Sequence, residues 1–128
     1  MKILLDSHAF FWWTVDHPNL SRAARGAIED PDNEVLVSAV VAWEMATKVR
    51  LGRRNDARSI VASFEEVVTR NGFLPLSTSV RHARTAGLLA CSHADPFERI
   101  LAAQANLEEV PLVTADSAFK VLKTQVIW

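Results

Sequence analysis

The chain has 128 residues, a length that fits one domain able to bury a hydrophobic core. Apolar residues make up 49% and charged residues 23%, which is ordinary for a compact soluble protein. The formal net charge of −1 excludes a bulk basic field for nucleic acid, so any basic patch must be local.

Cysteine usage and the N-terminal sequence bear on the cellular compartment. The single cysteine, Cys91, rules out an internal disulfide and fits a reducing cytoplasm. The first residues do not look like a signal peptide, and no apolar run approaches the roughly 20 residues that span a bilayer. We therefore expect one domain over residues 1–128, cytoplasmic and without a membrane partner.

Short apolar strands alternate with helices along the chain. Ile3–Leu5 read as a buried strand that ends at Asp6. The pattern then predicts helices over 9–15, 22–29 (capped by Ser21), 39–50 (capped by Ser38 and stopped at Gly52), 58–70, 79–89 (opened by Ser77 or Thr78), 95–107 and 117–122, with extended segments over 35–37, 73–76, 111–114 and 125–128. This alternation predicts an α/β protein with a parallel sheet covered by helices on both faces.

Five acids stand at corresponding places in these elements. Asp6 and Asp116 follow strand ends, Glu44 lies about one turn into a helix, and Asp95 and Glu98 lie in the first turn of another. Because parallel strands end at one edge of the sheet, we expect these carboxylates to converge. Several carboxylates within ~5 Å cannot all stay ionised without a cation. Oxygen ligands without a His or Cys cluster suit Mg²⁺ or Mn²⁺ rather than zinc.

The same acids also have structural interpretations. Asp95 and Glu98, with Pro96 between them, form an N-cap and capping box, a role compatible with metal binding because residues three apart share a helix face. Asp116 also suits the N-cap of the helix over 117–122. Glu44 is the hardest to explain structurally, because its neighbours are apolar.

Several motifs, in order along the chain, resemble the PIN-domain family. The matching segments are Leu-Leu-Asp-Ser-His-Ala (4–9), Val-Ser-Ala (37–39), Trp-Glu (43–44), Lys-Val-Arg-Leu-Gly (48–52), His-Ala-Asp-Pro-Phe-Glu-Arg (93–99), Ala-Ala-Gln-Ala (102–105) and Leu-Val-Thr-Ala-Asp (112–116). More narrowly, the chain is similar to VapC-type toxins of bacterial and archaeal toxin–antitoxin pairs.

The resemblance implies an α/β/α sandwich with a mostly parallel sheet of about four to five strands. It also implies a Mg²⁺- or Mn²⁺-dependent endoribonuclease, a homodimer, and a cognate VapB-like antitoxin that forms a hetero-oligomer with the toxin and blocks its site. Metal-activated water would hydrolyse an RNA phosphodiester. Covalent catalysis is a poor alternative, because neither Ser7 nor Cys91 has an obvious base partner.

Family site residues carry over only where the motifs match. Asp6, Glu44 and Asp116 match family acids, with Ser7 and Thr114 in supporting positions. The family pattern at the helix start is usually Asp-Pro-Phe-Asp-Arg, and this chain has Glu98, one methylene longer, at the second Asp. Either Glu98 reaches the metal with a shifted geometry, or Asp95 carries more of the ligation.

The basic residues have two interpretations. Lys48, Arg50, Arg53 and Arg54 form the densest basic group, which is either a solvated helix end or a contact to the RNA backbone. Arg99 either holds a phosphate or neutralises the neighbouring acids.

Two rival functions remain open on the sequence alone. One is a catalytically weak binding module that acts mainly through its antitoxin partner, which the Asp-to-Glu difference at residue 98 keeps open. The other is a metal-dependent phosphatase of another α/β family. The sequence argues against it, because Asp6 lacks the second acid two residues on that aspartate-nucleophile phosphatases use.

Overall fold

The computed structural model describes all residues from 1 to 128 and is built on one five-stranded sheet. Its strands are β1 (Lys2–Leu5), β2 (Glu34–Ser38), β3 (Leu74–Leu76), β4 (Leu112–Val113) and β5 (Val126–Ile127). They lie in the order β3-β2-β1-β4-β5, and every neighbouring pair is parallel. The predicted parallel sheet is therefore confirmed.

Eight α-helices connect the strands and flank the sheet as an α/β/α sandwich. They are α1 (Ser7–Thr14), α2 (Arg22–Glu29), α3 (Ala39–Arg50), α4 (Arg58–Ala62), α5 (Phe64–Arg70), α6 (Val80–Leu88), α7 (Pro96–Leu107) and α8 (Ala118–Val121), with a 3₁₀ turn at Asn55–Ala57. None of these helices has the length and apolar character needed to cross a bilayer.

Three predicted helix boundaries were wrong. The helix expected over 58–70 is two helices, because Ser63 leaves the helical region at φ −125° and ψ 36°. The helix expected from residue 79 begins at Val80 and is capped by Ser79, whose hydroxyl accepts from the His82 N–H, rather than by Ser77 or Thr78. The first helix begins at Ser7, two residues earlier than expected.

The hydrophobic core lies against the three central strands. Ile3, Leu4 and Leu5 of β1 are completely buried, as are Leu112 and Val113 of β4. A strand buried on both faces needs a continuous apolar run, and β1 has one up to Asp6.

The strand order places a topological switch point beside β1. From β1 the chain runs outward to β2 and β3 on one side, and it later returns to β4 and β5 on the other. Ligands of open α/β sheets bind at the carboxyl ends of the strands where the order reverses. Asp6 and Thr114 follow the two strands at this point.

A buried polar contact joins the two helices that carry the other acids. The Ser38 hydroxyl, at the end of β2, accepts from the Val40 N–H and donates to Gln104 Oε1 of α7 at 2.6 Å. Both side chains are completely buried, so leaving either one unpaired would be costly. This contact fixes the start of α3 against α7.

Candidate active site

Asp6 lies at the junction of β1 and α1 and is 6% exposed. One carboxylate oxygen accepts from the backbone N–H of Ala9 at 2.8 Å, which makes Asp6 the N-cap of α1. The other oxygen accepts from the Thr114 hydroxyl at 2.5 Å. The carboxylate is thus held both by the first turn of α1 and by the residue that follows β4.

Glu44 lies in the second turn of α3 and is buried. One of its oxygens accepts from the Ser7 hydroxyl at 2.5 Å. The other accepts from the Lys48 ammonium at 2.6 Å, an ion pair between residues four apart on the helix. Both oxygens of the buried carboxylate are therefore paired, as its burial requires.

Asp116 follows β4 and is exposed at its surface. Its backbone N–H donates to the Thr114 hydroxyl at 3.0 Å, and its carboxylate accepts from the Ala118 N–H at 2.9 Å. Thr114 therefore joins the two strand-end acids, because its hydroxyl donates to Asp6 and accepts from Asp116.

The carboxylates act on one another electrostatically. The pKa of Asp6 is raised to about 6, mainly by burial; the hydrogen bonds from Thr114 and Ala9 oppose this rise, and the charges of Glu44 and Asp116 add to it. The charges of Glu44 and Asp116 therefore both act on Asp6, as expected for carboxylates that lie toward one edge of the sheet.

The carboxyl groups of Glu98 and Asp116 also affect each other's pKa. Partial burial and a hydrogen bond to Asp116 raise the pKa of Glu98 to about 7, against a hydrogen bond to His93. Partial burial also acts to raise the pKa of Asp116, but the Ala118 N–H, the Glu98 carboxyl and two nearby histidines outweigh it and lower that pKa. The negative charge of Glu98 is thus unfavourable beside that of Asp116, and a cation can relieve such repulsion.

Asp95 has a different environment from the other four acids. It is exposed, and its carboxylate caps α7 by accepting from the backbone N–H groups of Phe97 and Glu98 at 2.9 and 3.2 Å. The N-cap role of Asp95 is therefore confirmed, but the expected capping box is not formed, because the Glu98 carboxylate bonds to His93 rather than to the Asp95 N–H. Its charge contributes to the raised pKa of Glu98, but its side chain does not join the hydrogen-bonded acids.

The acids do not form a ready-made ligand set of three or more His, Cys, Asp or Glu side chains. Lys48 holds one oxygen of Glu44, and Thr114 and the Ala9 N–H hold those of Asp6. The Glu98 carboxylate forms a hydrogen bond with the His93 ring. The donor chemistry, oxygen atoms carrying unfavourable negative charge, nevertheless fits a hard divalent cation.

Of the four basic residues predicted as a possible RNA contact, two form interactions within the protein and two do not. The Arg54 guanidinium lies 4.4 Å from the centre of the Phe11 ring and pairs with Asp56 at 3.2 Å. Lys48 pairs with Glu44. Arg50 and Arg53 are exposed at the end of α3, and neither forms an ion pair. Only these two keep their charge fully available to a phosphate backbone.

Arg99 has a structural role that the sequence did not indicate. Its guanidinium donates to five backbone carbonyl oxygens between α6 and α7, those of Ala86, Gly87, Leu89, Cys91 and His93, at 2.7–3.3 Å. These bonds use its donors and hold the segment that presents His93 to Glu98. Neither predicted role, phosphate binding or neutralising the acids, matches this geometry.

Sequence reasoning also missed two contacts that the spacing could have revealed. Glu44 and Lys48 are four residues apart on a predicted helix, which is the spacing of an ion pair. Asp6 stands directly before a helix, where an acid is a preferred N-cap. The contact between His93 and Glu98 spans a loop and has no local signal.

Comparison with known proteins identifies the family of the chain. A family model described as the PIN domain matches residues 3–124. The chain is 33% identical over 115 residues to Ribonuclease VapC22 of Mycobacterium tuberculosis, covering 89% of this chain and 86% of that protein. It is 36% identical over 74 residues to Ribonuclease VapC16 of the same organism, covering 55% of this chain and 51% of that protein.

Solved structures share the fold at low sequence identity. VapBC2 from Rickettsia felis, bound to a DNA fragment from its promoter, matches with a TM-score of 0.71 and 16% identity over 98% of this chain and 97% of that chain. FitAcB from Neisseria gonorrhoeae matches with a TM-score of 0.62 and 17% identity over 97% and 95%. The chain therefore belongs to the PIN-domain family and resembles its VapC-type members.

Proposed function

We propose that this protein is the toxin of a type II toxin–antitoxin pair and a metal-dependent endoribonuclease. One observation carries the proposal: Asp6 lies at the switch point of the sheet, where the charges of Glu44 and Asp116 act with burial to raise its pKa. The relatives named ribonucleases support RNA as the substrate.

Mg²⁺ or Mn²⁺ is the proposed cofactor, and Asp6, Glu44, Asp116 and Glu98 would hold it. When bound, such an ion lowers the pKa of a coordinated water and neutralises charge on the reacting phosphate. Thr114 keeps Asp6 and Asp116 in register, and Ser7 orients Glu44. Asp95 contributes by capping α7, which places Glu98 in the first helical turn.

Burial and the nearby Asp116 raise the pKa of Glu98 to about 7, so its negative charge is unfavourable in the metal-free protein. A bound cation would relieve that cost, which supports Glu98 as a ligand. His93 and Asp116 hold this carboxyl from two sides.

We also propose a VapB-like antitoxin as partner, a homodimer and a toxin–antitoxin hetero-oligomer in the cytoplasm, where the RNA substrate is found. The solved structures of VapBC2 from Rickettsia felis and VapBC-1 from Haemophilus influenzae support the pairing by their likeness in fold.

RNA cleavage by the purified protein, free of antitoxin, tests the proposal. We expect cleavage with Mg²⁺ or Mn²⁺, none in EDTA, and loss of about 100-fold or more in Asp6→Asn with the fold retained. Asp32→Asn, a change at an exposed turn acid, is the matched control and should cleave normally. Intact RNA at high protein and metal concentration would instead favour the binding module.

A further inference from the structure

An aromatic pair joins α3 to α7 at the surface of the protein. Trp43 of α3 is 54% exposed, and its ring meets that of Phe97 of α7 edge-to-face, with the centres 4.6 Å apart and the planes at 73°. Phe97 packs against the core, but Trp43 does not. Half of a large indole thus remains in water, held by a partner that limits its motion.

The pair is joined in sequence to the proposed site. Trp43 directly precedes Glu44, and Phe97 directly precedes Glu98. Both lie in the early turns of helices that begin at the carboxyl edge of the sheet. The exposed indole therefore lies on the helix that carries Glu44 and against the helix that carries Glu98.

Arg50 lies on the same face of α3 as Trp43. Trp43, Thr47 and Arg50 are spaced four and three residues apart, so they share one side of α3. Thr47 is occupied by its own backbone, since its hydroxyl donates to the Trp43 carbonyl oxygen at 2.8 Å. Arg50 is exposed and has no carboxylate partner. An exposed aromatic ring can stack on a nucleobase, and an unpaired guanidinium on the same helix face can bind the neighbouring phosphate.

We propose that Trp43, supported by Phe97, stacks on an unpaired nucleobase beside the scissile phosphate, and that Arg50 contacts a flanking phosphate. The inference rests on the proposed ribonuclease function.

Binding of single-stranded RNA tests the inference. The probes are the four homopolymeric RNAs and an abasic ribose-phosphate oligomer of the same length, measured in EDTA to prevent cleavage. Trp43→Ala should weaken binding of the best homopolymer about tenfold and leave the abasic oligomer unchanged. Trp43→Phe should keep most of the affinity, because it keeps a ring. Leu51→Ala, an exposed apolar change at the far end of α3, is the matched control and should bind normally.

Two results would overturn the inference. Equal loss on the homopolymer and the abasic oligomer would show that Trp43 does not stack on a base. A change of oligomeric state in Trp43→Ala by light scattering, with RNA affinity unchanged, would assign the ring to a contact between protein copies. In either case the wild-type protein would still cleave RNA. If the proposed function itself were wrong, the wild-type protein would not cleave RNA at all.

Discussion

Replacing Asp6 by Asn should stabilise the metal-free protein. The pKa of Asp6 is about 6 in the folded state against a usual 3.8, and one pKa unit corresponds to about 1.4 kcal/mol. Ionising Asp6 therefore costs the folded protein about 3 kcal/mol at pH 7. The amide of Asn carries no charge and can still accept from the Ala9 N–H. We expect a net gain of about 2 kcal/mol, or about 6 °C in Tm.

The pH dependence identifies the cause. An acid whose folded pKa is raised costs no stability below its unfolded pKa, and the cost grows as the pH rises from about 4 through about 6. The advantage of Asp6→Asn should therefore be small at pH 4 and reach its full size above pH 7. Urea unfolding in EDTA at several pH values measures it, with Asp32→Asn as control. A loss of stability at pH 7.5, or an advantage independent of pH, would refute the reasoning.

Three further outcomes follow from the site. Millimolar Mn²⁺ or Mg²⁺ should raise the Tm of wild type by several degrees and that of Asp6→Asn much less, because the ion binds only the folded protein; equal shifts would argue against this site. Glu98→Gln should lower RNA cleavage about 100-fold while Asp95→Asn leaves cleavage and Tm nearly unchanged, since Asn caps a helix as well as Asp; inactivity of the second variant would make Asp95 a ligand. Arg99→Ala should cost about 2 kcal/mol by urea unfolding and speed amide exchange across 86–94, and unaltered exchange there would contradict the role of its five backbone contacts.

The sheet could be predicted because its strands carry a strong local signal. The apolar run before Asp6 and the run before Thr114 each end at a polar residue, and alternation with helices determines parallel pairing. The break at Ser63 had no such signal, because the residues on both sides favour a helix, whereas α4 packs on α3 and α5 packs on β3. Helix boundaries set by tertiary packing are not visible in local sequence.

The site could be predicted as a set of acids but not as a network. The order of strands and helices in the sequence was enough to place Asp6 at the switch point and to predict Glu44 and Asp116 toward the same edge, and the charges of both act on Asp6. Only the structure distinguishes Asp95 from Glu98, because the distinction depends on which carboxylate turns inward. The Asp95 carboxylate caps the helix, whereas the Glu98 carboxyl interacts with Asp116. Arg99 was misjudged because a conformation of the preceding loop, not a motif, determines its partners.

Anomalous diffraction from crystals soaked in Mn²⁺ would test the metal site most directly. We expect one peak or more in contact with carboxylate oxygens of Asp6 and Asp116, with Glu44 released from Lys48 or shared with it. Manganese bound elsewhere on the protein, with these three acids still paired as they are here, would contradict a metal-dependent active site at this edge of the sheet.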